Sequence, residues 1–529
     1  MAPACRLGVV ALSSIAFIIL CQAEARGVTG YIAVVPPESN AARTARHKAM
    51  AEVRSRPIII CHRGASAFAP ENTLEAFASA LAQGGDGCEV DLGYTADRVL
   101  ICFHGPTVEP VTHGFGLLDQ FTYPQLLSFG LRSYGSATSR SNIPTFAALV
   151  EFARRTNMLL FLDVKVPGEQ MKGFEEEVIK TLDEADAWDH VVEFDGQAGW
   201  GTPSKLRTHP SFKRLQCNRW LFGEHKIDWD PEQVKKAIPP PGQMIMVDDP
   251  RVAASLMGRR PRRAIPPPES VYAVWPQPQD DPGVLGTRAY AASLGIDPDS
   301  PQDLLKLLKT DLSTRDDISG DDAYQNERAE RIWARAWAAF RLGELGCKSS
   351  GVVPWLEFQI KHGSRHRDRY LHGADAIAAV TALGKLGAVE SVPLLLDRFN
   401  EIESDVGKLT RTESGWREPA SKLWDTDVQF AIVRALKKTP CDAAKQFLKA
   451  RLKSKSDPTK QYTDYMEDTV SSSLAAQSLS RREIEELLTN GSPELRANLI
   501  VECIDHPAPE RRAALKSKAP WALKLPRAR

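Results

Sequence analysis

No two of the nine cysteines, at positions 5, 21, 61, 88, 102, 217, 347, 441 and 503, stand at a C-x-x-C or similar spacing. That excludes the common zinc and redox motifs. Cys5 and Cys21 fall near the start of the chain, an odd seven remain, and Cys61, Cys88 and Cys102 lie in apolar strand candidates. A buried free thiol is the expected state there, and no disulfide framework is predicted. An excess of charge is missing too: Lys plus Arg and Asp plus Glu each total 67 in 529 residues. No global field therefore draws the chain to nucleic acid or to an acidic surface. After Leu20 no apolar run approaches the ~20 residues of a membrane span, and beyond about residue 325 strand signals are missing. One compact core is excluded by length, so two or three domains are expected.

The first 25 residues read as a cleaved export signal. They hold an early arginine, a short apolar run from Leu7 to Leu20 and an Ala-x-Ala site at Ala23 to Ala25. An exported protein, periplasmic, in the cell envelope or extracellular, is the expectation, with residues 26–56 as a linker. From 57 to 258 strands and helices alternate, the pattern of a parallel sheet or barrel. Strands are predicted at 57–63, 87–93, 99–104, 158–165, 190–195, 213–217 and 242–248. Helices are predicted at 73–83, 145–155, 169–185, 231–237 and 251–258. Residues 259–325 begin as a Pro- and Arg-rich linker whose basic cluster, Arg259, Arg260, Arg262 and Arg263, is read as a solvated face.

The second half repeats itself. "AAFRLGELGCKSSGVVPWL" (338–356) and "AAVTALGKLGAVESVPLLL" (378–396) are the same unit, with Leu342 to Gly346 matching Leu383 to Gly387 at a spacing of 41. Segments 427–452 and 492–515 look like weaker copies. A period of this length means stacked helix pairs rather than a single bundle. The units resemble HEAT repeats, and residues 326–525 are expected to form an all-α solenoid that offers a curved surface to a protein partner.

Chemistry gathers at strand ends of the first region. The run Ile58 to Cys61 reads as a strand buried on both faces, which stops at His62, Arg63 and Gly64. Asn72 and Thr73 can cap the helix that follows. Glu89 and Asp91, two apart on a strand, face one side. With a third carboxylate, Asp163, from a neighbouring strand they make an oxygen-ligand set suited to Ca²⁺ or Mg²⁺. Lys165 shares the face of Asp163 as a phosphate-pairing cation. His62 and His104 suit general acid and base work, and Arg63 a bidentate grip on phosphate. Together these groups imply metal-assisted phosphoryl chemistry.

The segment "HRGASAFAPENTLEAFASALAQGGDGCEVDLGYTADRVLICFHG" (62–105), with "IPTFAALVEFA" (143–153) and "LLFLDVKVPG" (159–168), resembles the glycerophosphodiester phosphodiesterase family in its H-R-G, P-E-N-T, E-x-D and E-x-K motifs. The resemblance implies a TIM-type barrel that hydrolyses a glycerophosphodiester to glycerol phosphate and an alcohol with a divalent cation, Ca²⁺ or Mg²⁺. Carried over by position, His62 and His104 are the acid/base pair. Arg63, Lys165 and Glu71 contact or support the substrate phosphate, and Glu89, Asp91 and Asp163 hold the metal.

Three departures accompany it. Gly105 replaces the acidic residue expected after His104, with Pro110 where an arginine is usual. Asp163 stands for glutamate. The region offers about 200 residues where an eight-stranded barrel takes ~250, with the shortfall between 196 and 241, so a shortened or irregular barrel is expected. "GQMIMVDDP" (242–250) resembles the last strand of the family. Two alternatives remain at this point: a catalytically impaired barrel that binds phosphodiester head groups, with the solenoid docking a partner, and a related lysophospholipid or phosphoinositide phosphodiesterase.

Overall fold

The computed structural model describes residues 35–132, 142–196, 201–223, 226–261, 288–309, 322–349, 351–366, 371–407, 411–412, 415–416, 420–453, 463–504 and 506–525. The export signal, Arg262 and Arg263 lie outside these residues. The chain divides into two units, one of Met1–Leu221, Val234–Pro278 and Ala528–Arg529, the other of Phe222–Gln233 and Gln279–Arg527.

The first unit is built on β1 (Ile58–His62), β2 (Gly87–Tyr94), β3 (Leu100–Cys102), β4 (Leu159–Val164), β5 (Val191–Gly196), β6 (Gln216–Leu221) and β7 (Gln243–Val247). They lie in the order β5-β4-β2-β1-β7-β6, all parallel, with β3 returning antiparallel beside β2. Seven strands were expected and seven form, though β6 starts three residues later than its apolar pattern indicates. Every residue of β2 and β4 is buried, as fits central strands covered on both faces.

Six parallel strands follow the neighbour order of a closed barrel that has eight. Between Gly196 and Gln216 the described residues hold only a five-residue helix, Ser204–Thr208. The barrel is therefore open between β5 and β6, at the place where the chain is short.

An open edge is stable only if its backbone groups find other partners. On β5 the Val192 carbonyl accepts from the Leu215 amide at 2.9 Å and the Phe194 carbonyl from Arg207 Nε at 2.7 Å. The Phe194 and Gly196 amides donate to Glu193 Oε1 and Asp195 Oδ1, each the carboxylate of the preceding residue. Trp220 on β6 meets Phe161 on β4 edge to face, with centroids 6.0 Å apart, yet stays 47% exposed. The two rings reach one another from non-adjacent strands, so they sit on the concave side that two more strands would have covered.

Two linker expectations are corrected in this unit. Ser39 caps a helix, α1 (Asn40–Arg54), by accepting from the Ala42 amide. Arg46 and Arg54 of α1 then tie it to the sheet, through the Asp189 carboxylate and the Asp189 and Val191 carbonyls. Arg259 is likewise no solvated linker residue. It donates to the Gly84 and Pro57 carbonyls and pairs with the buried Asp86.

Helices α2 (Leu74–Ala82), α3 (Tyr123–Ser128), α4 (Phe146–Thr156) and α5 (Met171–Ala185) fall near their predicted positions where one was predicted. Four short helices complete the list before the second half of the chain: α6 (Ser204–Thr208), α7 (Pro231–Ala237), α8 (Arg251–Leu256) and α9 (Arg288–Ser293).

The second unit is helical: α10 (Pro301–Lys309), α11 (Asp322–Glu344), α12 (Val352–Lys361), α13 (Ala374–Leu386), α14 (Val392–Gly407), α15 (Ala420–Lys438), α16 (Asp442–Lys453), α17 (Thr463–Ala475), α18 (Arg481–Asn490), α19 (Pro493–Ile504) and α20 (Pro509–Lys518). Among the described residues its one strand pair is the two-residue ladder of Arg411–Thr412 with Gly415–Trp416. Helices α11, α13, α15, α17 and α19 pack in succession as one layer and α12, α14 and α16 as a second, with α12 packed on α13, α14 on α15 and α16 on α17. That is a stack of helix pairs, as the repeat predicts. It begins earlier than expected, because Leu304 and Leu308 bury α10 against α11 and α12, and it includes two helices, α17 and α18, that the repeat pattern passes over.

The repeated Leu-Gly-x-Leu-Gly has a physical reading. A Cβ on Gly343 would lie 2.8 Å from Ala382 Cα, and one on Gly384 would lie 3.1 Å from Ala435 Cα, so the first glycine lets each helix approach the next. The second, Gly346 or Gly387, takes a left-handed φ of 64° or 59° and ends the helix.

The same logic operates in the sheet. A Cβ on Gly87 would stand 2.3 Å from the Leu159 carbonyl oxygen of the neighbouring strand, whereas one on Gly168 meets nothing within 4 Å. Gly87→Ala is expected to lower unfolding stability by about 1–3 kcal/mol. Gly168→Ala is expected to change it by less than about 0.5 kcal/mol. Urea unfolding of the two variants checks the difference.

Candidate active site

Strand register assembles the site. His62 stands opposite Glu89 across β1 and β2, and Asp91 opposite Asp163 across β2 and β4. One oxygen from each of Glu89, Asp91 and Asp163 lies within 4.8 Å of the others, and all three residues are buried. The short antiparallel β3 explains His104: the Phe103 amide donates to the Asp91 carbonyl at 2.9 Å, which returns the chain to the level of the carboxylates.

The turn after β1 is unusual in its backbone. Arg63 and Asn72 both take φ near 56°, in the left-handed region that non-glycine residues seldom occupy. What holds them is the carboxylate cluster itself. The Arg63 amide donates to Glu89 Oε2 at 3.0 Å, its Nε lies 3.1 Å from Asp91 Oδ2, and Nη1 donates to Glu71 Oε1 at 3.2 Å. Asn72 clasps Asp91 twice, with Nδ2 donating to Oδ2 at 2.9 Å and Oδ1 accepting from the Asp91 amide at 3.2 Å. The helix cap falls to Thr73 alone, so the expectation that Asn72 shares it is corrected.

Lys165 Nζ lies 2.7 Å from Asp163 Oδ2 and 3.5 Å from Asp91 Oδ1. Its charge, read from the sequence as aimed at phosphate, is engaged by carboxylates.

Crowded acids in a buried place resist ionisation together. Burial, then the charge of Asp91, pushes the Glu89 carboxyl well above its ordinary range against the pull of Arg63 and Lys165. Burial raises Asp163 as well, although Lys165 opposes it. Burial also works against Asp91, but Arg63, His104, Lys165 and the Asn72 hydrogen bond outweigh it and hold that carboxyl low. The carboxylates of Asp91, Glu71, Glu89 and Asp248 likewise overcome burial to raise Arg63.

A hard cation fits this donor set. Glu89 Oε1, Asp91 Oδ1 and Asp163 Oδ1 are buried oxygens without a hydrogen-bond donor, one on each acid. Such orphans are costly in a folded protein unless an ion or water meets them, and oxygen-only ligands suit Mg²⁺ or Ca²⁺.

Residues 62–199 match the model of the glycerophosphoryl diester phosphodiesterase family. These residues are a domain of that family. The glycerophosphodiester phosphodiesterase of Caldanaerobacter subterraneus is 32% identical over 139 residues, 26% of this chain and 57% of that one. Glycerophosphodiester phosphodiesterase 1 of Bos taurus is 36% identical over 115 residues, 21% of this chain and 35% of that one. The chain thus spans about half the length, or less, of these curated relatives. A crystal structure of a glycerophosphodiester phosphodiesterase from Agrobacterium tumefaciens is similar over 38% of this chain and 99% of that one, at 18% identity and a TM-score of 0.30.

The family domain as matched stops before a residue that completes the site. Asp248, just past β7, accepts at Oδ1 from His62 Nδ1 at 2.8 Å, while His62 Nε2 lies 3.9 Å from Glu89 Oε2. Sequence reasoning quoted the strand and passed over the residue, although its place at the end of a parallel strand beside His62 is the signal that marks functional residues in such folds. His62, Arg63, Glu71, Glu89, Asp91, Asp163 and Lys165 form one connected network. His104 joins it electrostatically.

The two histidines differ. His62 has the Asp248 carboxylate beside it, whereas burial, followed by the cations of Arg63 and Lys165, depresses His104 from an ordinary 6.5 to about 4, against the attraction of Asp91. A neutral buried imidazole binds its proton less readily folded than unfolded. It therefore favours the folded state fully above the unfolded value, and that contribution is lost as pH falls from about 6.5 toward 4. In the metal-free protein His104 is expected to stay neutral at pH 6 and to titrate near 4; imidazole NMR shifts, assigned with His104→Gln, check this.

Proposed function

We propose that the chain is a divalent-cation-dependent glycerophosphodiester phosphodiesterase that cleaves a glycerophosphodiester to glycerol phosphate and an alcohol. The observation that carries this reading is the convergence, inside a domain of that family, of three orphaned carboxylate oxygens with Arg63 and an Asp-backed histidine. Glu89, Asp91 and Asp163 would hold the cation, Mg²⁺ or Ca²⁺, which when bound supplies positive charge to the phosphoryl oxygens. Arg63, fixed between Asp91 and Glu71, presents its guanidinium edge to the same oxygens.

Proton traffic falls to the two histidines. His104, neutral at physiological pH, accepts a proton from the attacking water, or from the glycerol 2-hydroxyl, whose attack on phosphorus gives a cyclic phosphate that a water then opens to glycerol phosphate. His62 delivers a proton to the departing alcohol from Nε2, while Asp248 on Nδ1 fixes the orientation of the ring. Gly105 leaves His104 without the carboxylate usual beside it, and Asp248 provides one to His62.

The open side between β5 and β6 widens the mouth of the pocket. The helical unit is read as a docking surface for a protein partner, and the signal in residues 1–25 as the means of export.

EDTA is expected to abolish glycerol phosphate release by the full chain, and added Mg²⁺ or Ca²⁺ to restore it. His62→Ala is expected to lower turnover of an alkyl glycerophosphodiester about 10²–10⁴-fold. It should lose far less on a nitrophenyl diester, whose leaving group needs no proton, whereas His104→Ala loses on both. Equal losses for His62→Ala on the two substrates would reject the assignment of roles. Metal-independent turnover would reject the reading of the site.

A further inference from the structure

Lys165 is more than nine-tenths buried, and its ammonium lies among the acids assigned to the metal, 2.7 Å from Asp163 Oδ2 and 3.5 Å from Asp91 Oδ1. On the other side of Asp91 stands the Arg63 guanidinium, 3.1 Å from Oδ2. Three carboxylates therefore already face two fixed cations, and the oxygens left without a hydrogen-bond donor are Glu89 Oε1, Asp91 Oδ1 and Asp163 Oδ1. Asp91 Oδ1 is the shared point, reached by Lys165 at the longer of its two distances.

A divalent ion entering at those oxygens meets acids whose charge is largely spent. Among Glu89, Asp91, Asp163, Arg63 and Lys165 it turns a slight negative balance into a positive one, with Glu71 and Asp248 lying beyond them on Arg63 and His62, in a place where buried charges are weakly screened. An anionic phosphoryl group beside it removes that excess. Each ligand thus lowers the cost of the other, and linkage makes the effect mutual.

We propose that the divalent cation and the phosphoryl ligand bind this site cooperatively, and that Lys165 is the positioning residue that couples them. Its grip on Asp163 makes the carboxylate set a weak trap for a bare cation and a strong one once a phosphate monoester or diester is present. This inference rests on the metal site proposed above. It differs from the sequence reading, in which Lys165 only pairs with phosphate, and from the simpler one in which it only orients Asp163.

Calorimetric titration of the full chain with MgCl₂, with and without saturating glycerol phosphate at fixed ionic strength, tests it. Binding of Mg²⁺ is expected to tighten at least about 10-fold with glycerol phosphate present, within the usual span of coupling factors. In Lys165→Met, Mg²⁺ alone is expected to bind more tightly than in the wild type, and the coupling factor to fall toward one. The wild-type comparison needs no variant, and Lys165→Gln serves if Lys165→Met does not fold.

A wild-type Mg²⁺ affinity that ignores glycerol phosphate overturns the proposal. Weaker Mg²⁺ binding in Lys165→Met reduces the lysine to an orienter of Asp163, and unchanged binding reduces it to a phosphate ligand; either result also overturns it. A folded chain that takes up neither Mg²⁺ nor Ca²⁺ under any condition rejects the metal site itself, which separates failure of the function from failure of the coupling.

Discussion

Buried negative charge is the constraint around which the first unit is arranged. Glu89, Asp91 and Asp163 are brought together by the parallel register of β2 with β4, and no arrangement of three adjacent carboxylates survives burial without compensation. Compensation comes from several directions. Arg63 is turned into the cluster by a left-handed backbone, Asn72 clasps Asp91 from a second left-handed residue, and Lys165 reaches back along its own strand. The strained loop after β1 is thus a consequence of the chemistry at the strand ends, and the same groups that make the acids tolerable are those placed to meet a phosphoryl anion.

The opening of the barrel shows how a shortened fold avoids an exposed edge. Closed barrels have no edges, and losing two strands creates two. On β5 the missing neighbour is replaced by the Leu215 amide, the Arg207 side chain and the carboxylates of Glu193 and Asp195. Phe161 and Trp220 fill the side left uncovered, at the cost of an exposed indole. These groups are local substitutes within reach of β5, so that edge does not depend on a partner strand to satisfy its outward backbone groups.

The helical unit solves a simpler problem, that of stacking similar pairs closely. Gly343 and Gly384 sit where neighbouring helices come within contact of backbone, and Gly346 and Gly387 end the same helices. One short motif thereby sets both the spacing of the layer and the length of its members. Helices without the motif, such as α17, which packs on α15, α16 and α19, and α18, which packs on α19 and α20, leave no comparable trace in the sequence.

Much of this was legible in the amino-acid order. Continuous apolar runs with functional residues at their ends predicted the strands, because burial on both faces leaves no alternation to confuse the reading. The Glu-x-Asp spacing placed two carboxylates on one face, and the 41-residue repeat predicted helix pairs, since both depend on local periodicity. What depends on distant parts of the chain was not legible. Asp248 lies 186 positions from His62 and becomes its partner only because β7 pairs with β1. Lys165 reads as a cation for phosphate until the register of β4 against β2 sets it among acids. Arg259 and α1 read as linker until Asp86 and Asp189 are brought to them. The sequence by itself determined the strands, most of the helices and which residues carry charge. The tertiary structure alone decided which charges meet, because Coulomb interactions follow distance in space and not distance along the chain.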